Sequence, residues 1–143
     1  MKKLLQTGFN TTTANIWLFI LRILVSAFML THGLPKLYRL FEEGDIKFGD
    51  PIGLGPAASL ILAVFAEFFC SILVGLGLFT RLATIPLAAT MMVAAFISHG
   101  SDPFSRKELA LLYLLMYVTL LIFGGGKYSI DYFLFNKTSK YIQ

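Results

Sequence analysis

The chain has 143 residues, 57% of them hydrophobic and 14% charged, with a net charge of +4 and a mean hydropathy of +0.75. A soluble domain carries about 25% charged residues, so a water-soluble globule is excluded. The 14 Phe and 6 Tyr exclude a disordered chain, and a single cysteine excludes an internally stapled secreted domain.

A spanning helix needs roughly 20 predominantly apolar residues. Four stretches approach this, at about 14–40, 56–79, 82–98 and 108–123. Their apolar runs lack the alternation of barrel strands, and hydrocarbon offers no partner for a free backbone N–H or C=O. The expected fold is all-α, an integral membrane four-helix bundle forming one domain over 1–143.

Lys2 and Lys3 ahead of an apolar run imitate a secretory signal, but the run begins only near Ala14, contains Arg22 and lacks a small-x-small cleavage site. It reads as a retained first helix, with His32 and Lys36 near its far end. A loop rich in charge and glycine follows, from Phe41 to about Gly55, and Pro56 suits the first turn of the second helix. Glu67 is the one charge in that helix, which loosens at Gly75, Leu76 and Gly77; Thr80 and Arg81 mark the next turn. The third helix is uncharged and ends at His99 and Gly100. Glu108 is expected to cap the fourth, which stops at Gly124, Gly125 and Gly126.

With four crossings, Lys2, Lys3, Arg81, Lys127, Lys137 and Lys140 share one side, against Lys36, Arg39, Lys47, Arg106 and Lys107 on the other. The positive-inside rule then places both termini in the cytoplasm. The positive charge suits an anionic lipid surface and gives no argument for nucleic acid.

Ionisable groups inside a span are costly and seldom lack a partner or a task. Rotation by about 100° per residue puts Ser26, Met29, Gly33 and Lys36 on the face of Arg22. If the first two helices are antiparallel neighbours, Arg22 and Glu67 meet at similar depth and pair. Two readings stand: the pair locks helix register, or it lines a polar pocket. A second group gathers at the opposite membrane face, where His32, Lys36, His99 and Glu108 lie at helix ends. They either cap helices and contact headgroups, or bind a redox-active ring and shuttle protons. A haem held by the two histidines is disfavoured, because it needs the rings on opposite porphyrin faces.

Metal-binding spacings such as HExxH and CxxC are absent from the sequence. Cys70 alone cannot run dithiol chemistry and reads as packing. The run from Phe123 to Asp131 is not a phosphate loop, since Leu121 and Tyr128 stand where that motif needs glycine and Ser or Thr. Asp131 is instead placed to pair with Arg81, tying the second and fourth helices together.

In order along the chain stand Leu21, Arg22 and Ile23; His32, Gly33, Leu34, Pro35 and Lys36; Glu67; and Gly75 through Thr80 with Arg81. Glu108 through Tyr113, and Gly124 through Asp131, complete the series. In this order the chain resembles the DoxX family of small four-helix membrane proteins, over nearly its whole length. The resemblance implies a bundle in the bacterial cytoplasmic (inner) membrane. It also implies association with membrane oxidoreductase systems, since relatives including DoxD-like ones are linked with quinone-reducing sulfur oxidation and oxidative stress. It places Arg22, His32, Lys36, Glu67 and Arg81 in a shared polar site. Three functions follow as expectations: a redox-associated subunit binding a quinone-like carrier, a non-enzymatic scaffold for partner proteins, or a small transporter. A redox partner protein and association between copies of the chain are compatible with the first two.

Overall fold

The computed structural model describes residues 10–136. Lys2, Lys3, Lys137 and Lys140, on which the orientation argument draws, lie outside the described residues. All regular structure among the described residues is helical. Helix α1 is Thr11–Arg39, α2 is Pro56–Leu76, α3 is Thr80–Ser98 and α4 is Phe104–Phe123. A short π-helical turn, Tyr132–Asn136, follows.

Helix α1 begins three residues earlier than its apolar run because Asn10 caps it: the Asn10 side chain accepts from the amides of Thr12 at 2.9 Å and Thr13 at 3.3 Å. Its 29 residues span about 43 Å, more than a bilayer's hydrocarbon core. Helix α4 also begins early, after Pro103. Glu108 therefore sits inside the helix, exposed, and does not cap its start.

Helix α2 stops at Leu76 rather than near Phe79, because Gly77 takes a left-handed conformation with φ of 71°. Two helices widen locally into π-helix, α2 at Phe65–Cys70 and α3 at Ala94–Ser98. Such segments arise where an α-helix accommodates an extra residue in a turn, and they concentrate at functional sites.

Helices α1, α2 and α3 are each long and apolar enough to cross a membrane. Helix α4 is 20 residues long and carries Arg106, Lys107 and Glu108 near its start. Helix α1 packs chiefly along α2, α4 along α3, and α2 also meets α3. The interior is built from Val25 and Met29, Leu60 and Val74, Leu87 and Met91, and Tyr117 and Leu120. The outside is apolar too, with Trp17, Phe28, Phe96 and Leu115 exposed, a surface that requires lipid rather than water.

The buried stripe of α1 contains Arg22, Ser26, Met29 and Gly33, the face given by helical rotation. At Gly33 the backbones of α1 and α2 nearly touch: a Cβ there would lie 2.6 Å from the Glu67 carbonyl oxygen and 2.9 Å from the Phe68 nitrogen. No side chain fits without separating the two helices. Gly33→Leu is therefore expected to cost at least the ~1–3 kcal/mol typical of core overpacking. Thermal unfolding in detergent should show a lower Tm; an unchanged Tm would mean that this contact does not set the packing.

Candidate functional site

The π-helical turn of α2 presents Glu67 to the interior, where it is 3% exposed. Its partner is Lys36, from the last turn of α1. The Lys36 ammonium donates to both carboxylate oxygens at 2.5 Å. This corrects the expected pairing of Arg22 with Glu67. Gly33 fixes the register of α1 against α2, and that register sets Lys36, not Arg22, beside Glu67. Phe48, from the loop between α1 and α2, places its ring 5.9 Å from the same ammonium.

Arg22, about 21 Å along α1 from Lys36 at the helical rise, serves the opposite end of the molecule. Helical side chains lean toward the helix N-terminus, and Arg22 accordingly donates to the Tyr128 carbonyl and lies over the Phe19 ring at 5.1 Å. It also interacts electrostatically with Asp131.

The expected Arg81 and Asp131 ion pair does not form. Asp131 instead accepts from the amides of Phe79 at 2.6 Å and Thr80 at 2.8 Å, satisfying the otherwise free N-terminus of α3. Arg81 donates to the Ile122 carbonyl at 3.0 Å. These three bonds still tie the α2–α3 turn to α4 and the segment after it, through backbone atoms that charge patterning does not reveal.

Two cavities share the Lys36 and Glu67 pair as a wall. The first, of about 440 Å³, lies between α2 and α3 beneath the α1–α2 loop. Its lining is mainly apolar, with Leu62, Phe65, Ala89 and Val93 among the walls, and Leu62 and Phe65 also reach the outer surface. The second, of about 210 Å³, is lined by Met29, His32, His99, Arg106 and Tyr113 as well as the pair itself.

The structure thus brings His32, Lys36, Glu67 and His99 together and leaves Arg22 and Glu108 out. His32 meets Tyr113 edge-on at 6.1 Å, and His99 bonds Asp102 through Nδ1 at 2.8 Å. That bond holds the Asp102 carboxyl below the usual carboxylate range.

The α1–α2 loop covers the larger cavity with Phe48, Pro51 and Ile52. Asp50 latches it, accepting at 2.9 Å from the amides of Leu54 and Gly55 and from the Ser59 hydroxyl. The Gly55 amide above all holds the Asp50 carboxyl below its ordinary range. Sequence reasoning placed this loop but missed its Asp50 latch and its cover over the cavity, and missed the Tyr113 and Tyr117 pair, whose rings stack with centroids 6.1 Å apart. The available signals were Asp50 ahead of a glycine-rich turn and two tyrosines four residues apart on one helix face.

Two outcomes are expected. Lys36→Met strands a buried carboxylate and should destabilise the fold by about 3–5 kcal/mol, most of it recovered in the double variant Lys36→Met, Glu67→Met. Equilibrium unfolding of the three proteins measures this, and additive losses would contradict a coupled pair. The Asp50 latch, with its carboxyl depressed in the fold, is fully present above the unfolded value of about 4 and is lost as pH falls through the lower folded value. The protection of the Leu54 and Gly55 amides against hydrogen exchange should be lost only in that acid range, and at neutral pH in Asp50→Asn. Equal protection in Asp50→Asn and the parent protein would show that another contact holds the loop.

The sequence profile of the DoxX family matches residues 17–100, which include both members of the ion pair. An uncharacterized protein of Haemophilus influenzae is 33% identical over 131 residues, covering 85% of this chain and 92% of that protein. No solved structure matches the chain. With its apolar, span-length helices and a match over more than half its length, the chain is a membrane protein belonging to the DoxX family.

Proposed function

We propose that the protein is a carrier-binding component of a membrane oxidoreductase system, holding a quinone-like molecule in the larger cavity with its head group at Lys36 and Glu67. The observation that carries this reading is the union of a 440 Å³ apolar cavity with a single charged pair in its wall. Small-molecule sites have this composition: apolar walls and a few convergent polar groups, within roughly 300–1,000 Å³.

A quinone carbonyl needs a hydrogen-bond donor, which the Lys36 ammonium is, and its reduced form needs an acceptor, which Glu67 is. Leu62 and Phe65 reach the apolar flank between α2 and α3, so a lipid-soluble molecule has a lateral approach that a water-soluble one lacks. The exchange of electrons belongs to a partner protein in this reading; the bundle supplies binding, orientation and a proton-bearing group.

The same reading takes α4 as a fourth crossing beside α1, α2 and α3. Both termini then lie in the cytoplasm of a bacterial inner membrane, with the ion pair toward the outer face.

Ala89 lies in the cavity wall and is itself exposed, so a larger side chain there fills the cavity with little strain on the core. A short-chain ubiquinone analogue is expected to raise the Tm of the purified protein. Ala89→Phe should retain the ligand-free Tm and lose that rise, and Glu67→Gln should weaken it. A rise that survives Ala89→Phe would place the molecule elsewhere.

A further inference from the structure

The end of the molecule opposite the Lys36 and Glu67 pair carries a second cavity that the carrier reading does not use. There the start of α1, the α2–α3 turn and the chain leaving α4 surround an open recess of about 640 Å³. Two basic residues, Arg81 and Lys127, line it together with Phe79, Leu82, Phe123 and Phe135. All four apolar residues are half exposed or more.

Both basic groups keep donors in reserve. The Arg81 guanidinium lies along Gly124, its Nε 3.4 Å from where a Cβ would stand, and Nη2 donates to the Ile122 carbonyl. That bond uses one of the five guanidinium N–H donors and holds the group against the end of α4. Among the described residues the Lys127 ammonium has no hydrogen-bond or ion-pair partner. The one carboxylate of the lining, Asp131, has both oxygens bonded to the Phe79 and Thr80 amides. Two cations against one occupied carboxylate leave the recess net positive.

Phe79 forms part of the apolar rim in an uncommon backbone conformation. Its φ of 49° is the one positive value at a non-glycine among the described residues, and bulky side chains rarely adopt it. The bonds from the Phe79 and Thr80 amides to Asp131 hold it there, with its ring 6.2 Å from that of Phe135.

The depth of the recess matches lipid headgroups. It lies where α3 begins at Thr80 and α4 ends at Phe123, and Tyr128 and Tyr132 beside it are exposed. Exposed aromatics at the ends of apolar spans mark the membrane–water interface.

We propose that this recess binds an anionic glycerophospholipid, its phosphate between Arg81 and Lys127 and an acyl chain over Leu82 toward the exposed Ile85 of α3. The two cations select the phosphate, and the rim selects a lipid: a hydrated phosphate ion gains nothing from exposed Phe and Leu, whereas an acyl chain does. Basic pockets between spanning helices take anionic headgroups in this way. The site stands apart from the carrier-binding reading and is unaffected by its failure.

Native mass spectrometry of the full chain in non-ionic detergent tests it, with phosphatidylglycerol and phosphatidylcholine of the same acyl chains. Phosphatidylglycerol is expected to be retained more strongly. Lys127→Gln should lower that retention about fivefold, the effect of one cation near an anionic lipid, while Lys127→Arg keeps it. Lys127 is exposed, so both variants should hold the lipid-free Tm. Equal retention of the two lipids overturns the proposal, and so does retention of phosphatidylglycerol that Lys127→Gln leaves unchanged. Phosphatidylglycerol should also raise the Tm where inorganic phosphate alone does not; an equal rise with inorganic phosphate would assign the recess to the free ion and overturn the lipid.

Discussion

Everything in the interior follows from how closely α1 and α2 approach at Gly33. With no Cβ in the way, the α1 backbone rests against the peptide joining Glu67 to Phe68, and dispersion between close-packed backbones replaces the contacts that side chains would make. Once that contact is made, the antiparallel register has no freedom left. Lys36 falls beside Glu67, Ser26 beside Gly75 and Arg22 beside Gly77. One stripe of α1 offers two cations, and a glycine decides which of them receives the carboxylate.

The choice has energetic content. An isolated carboxylate in a dry interior carries a desolvation cost that only a close, well-oriented cation offsets. Lys36 meets both Glu67 oxygens, and its side chain remains 27% exposed, so its charge is not wholly withdrawn from its surroundings. The pair therefore combines a fixed geometry with access from two cavities. Arg22 solves the same problem by different means, with the Tyr128 carbonyl, the Phe19 ring and the field of Asp131.

Much of this was legible in the sequence. The apolar runs gave the helices, rotation about α1 gave its buried stripe, and Gly77 with the triple glycine gave the stops. Asp131 was correctly placed near the α2–α3 turn, but its partners are backbone amides, which no pattern of side-chain charges displays. The helix starts were missed where Asn10 and Pro103 act, because a local boundary signal precedes the apolar run. Interhelical register was not legible: it depends on which small residue meets which backbone, a pairing between segments far apart in the chain. The π-helical turns were hidden for a related reason, since an extra residue per turn leaves no mark in a uniformly apolar stretch such as Phe65, Ala66, Phe68 and Phe69.

That widened turn also couples reading frame to architecture. A residue accommodated within Phe65–Cys70 shifts the angular phase of everything beyond it by roughly 100° relative to an unbroken α-helix. Ser71 and Val74, both fully buried, thus owe their inward direction to the same turn that presents Glu67. The two halves of α2 are phased separately: deleting one residue there would close the turn into ordinary α-helix with the second half's inner face still inward, whereas straightening the turn with every residue kept would rotate that face toward lipid.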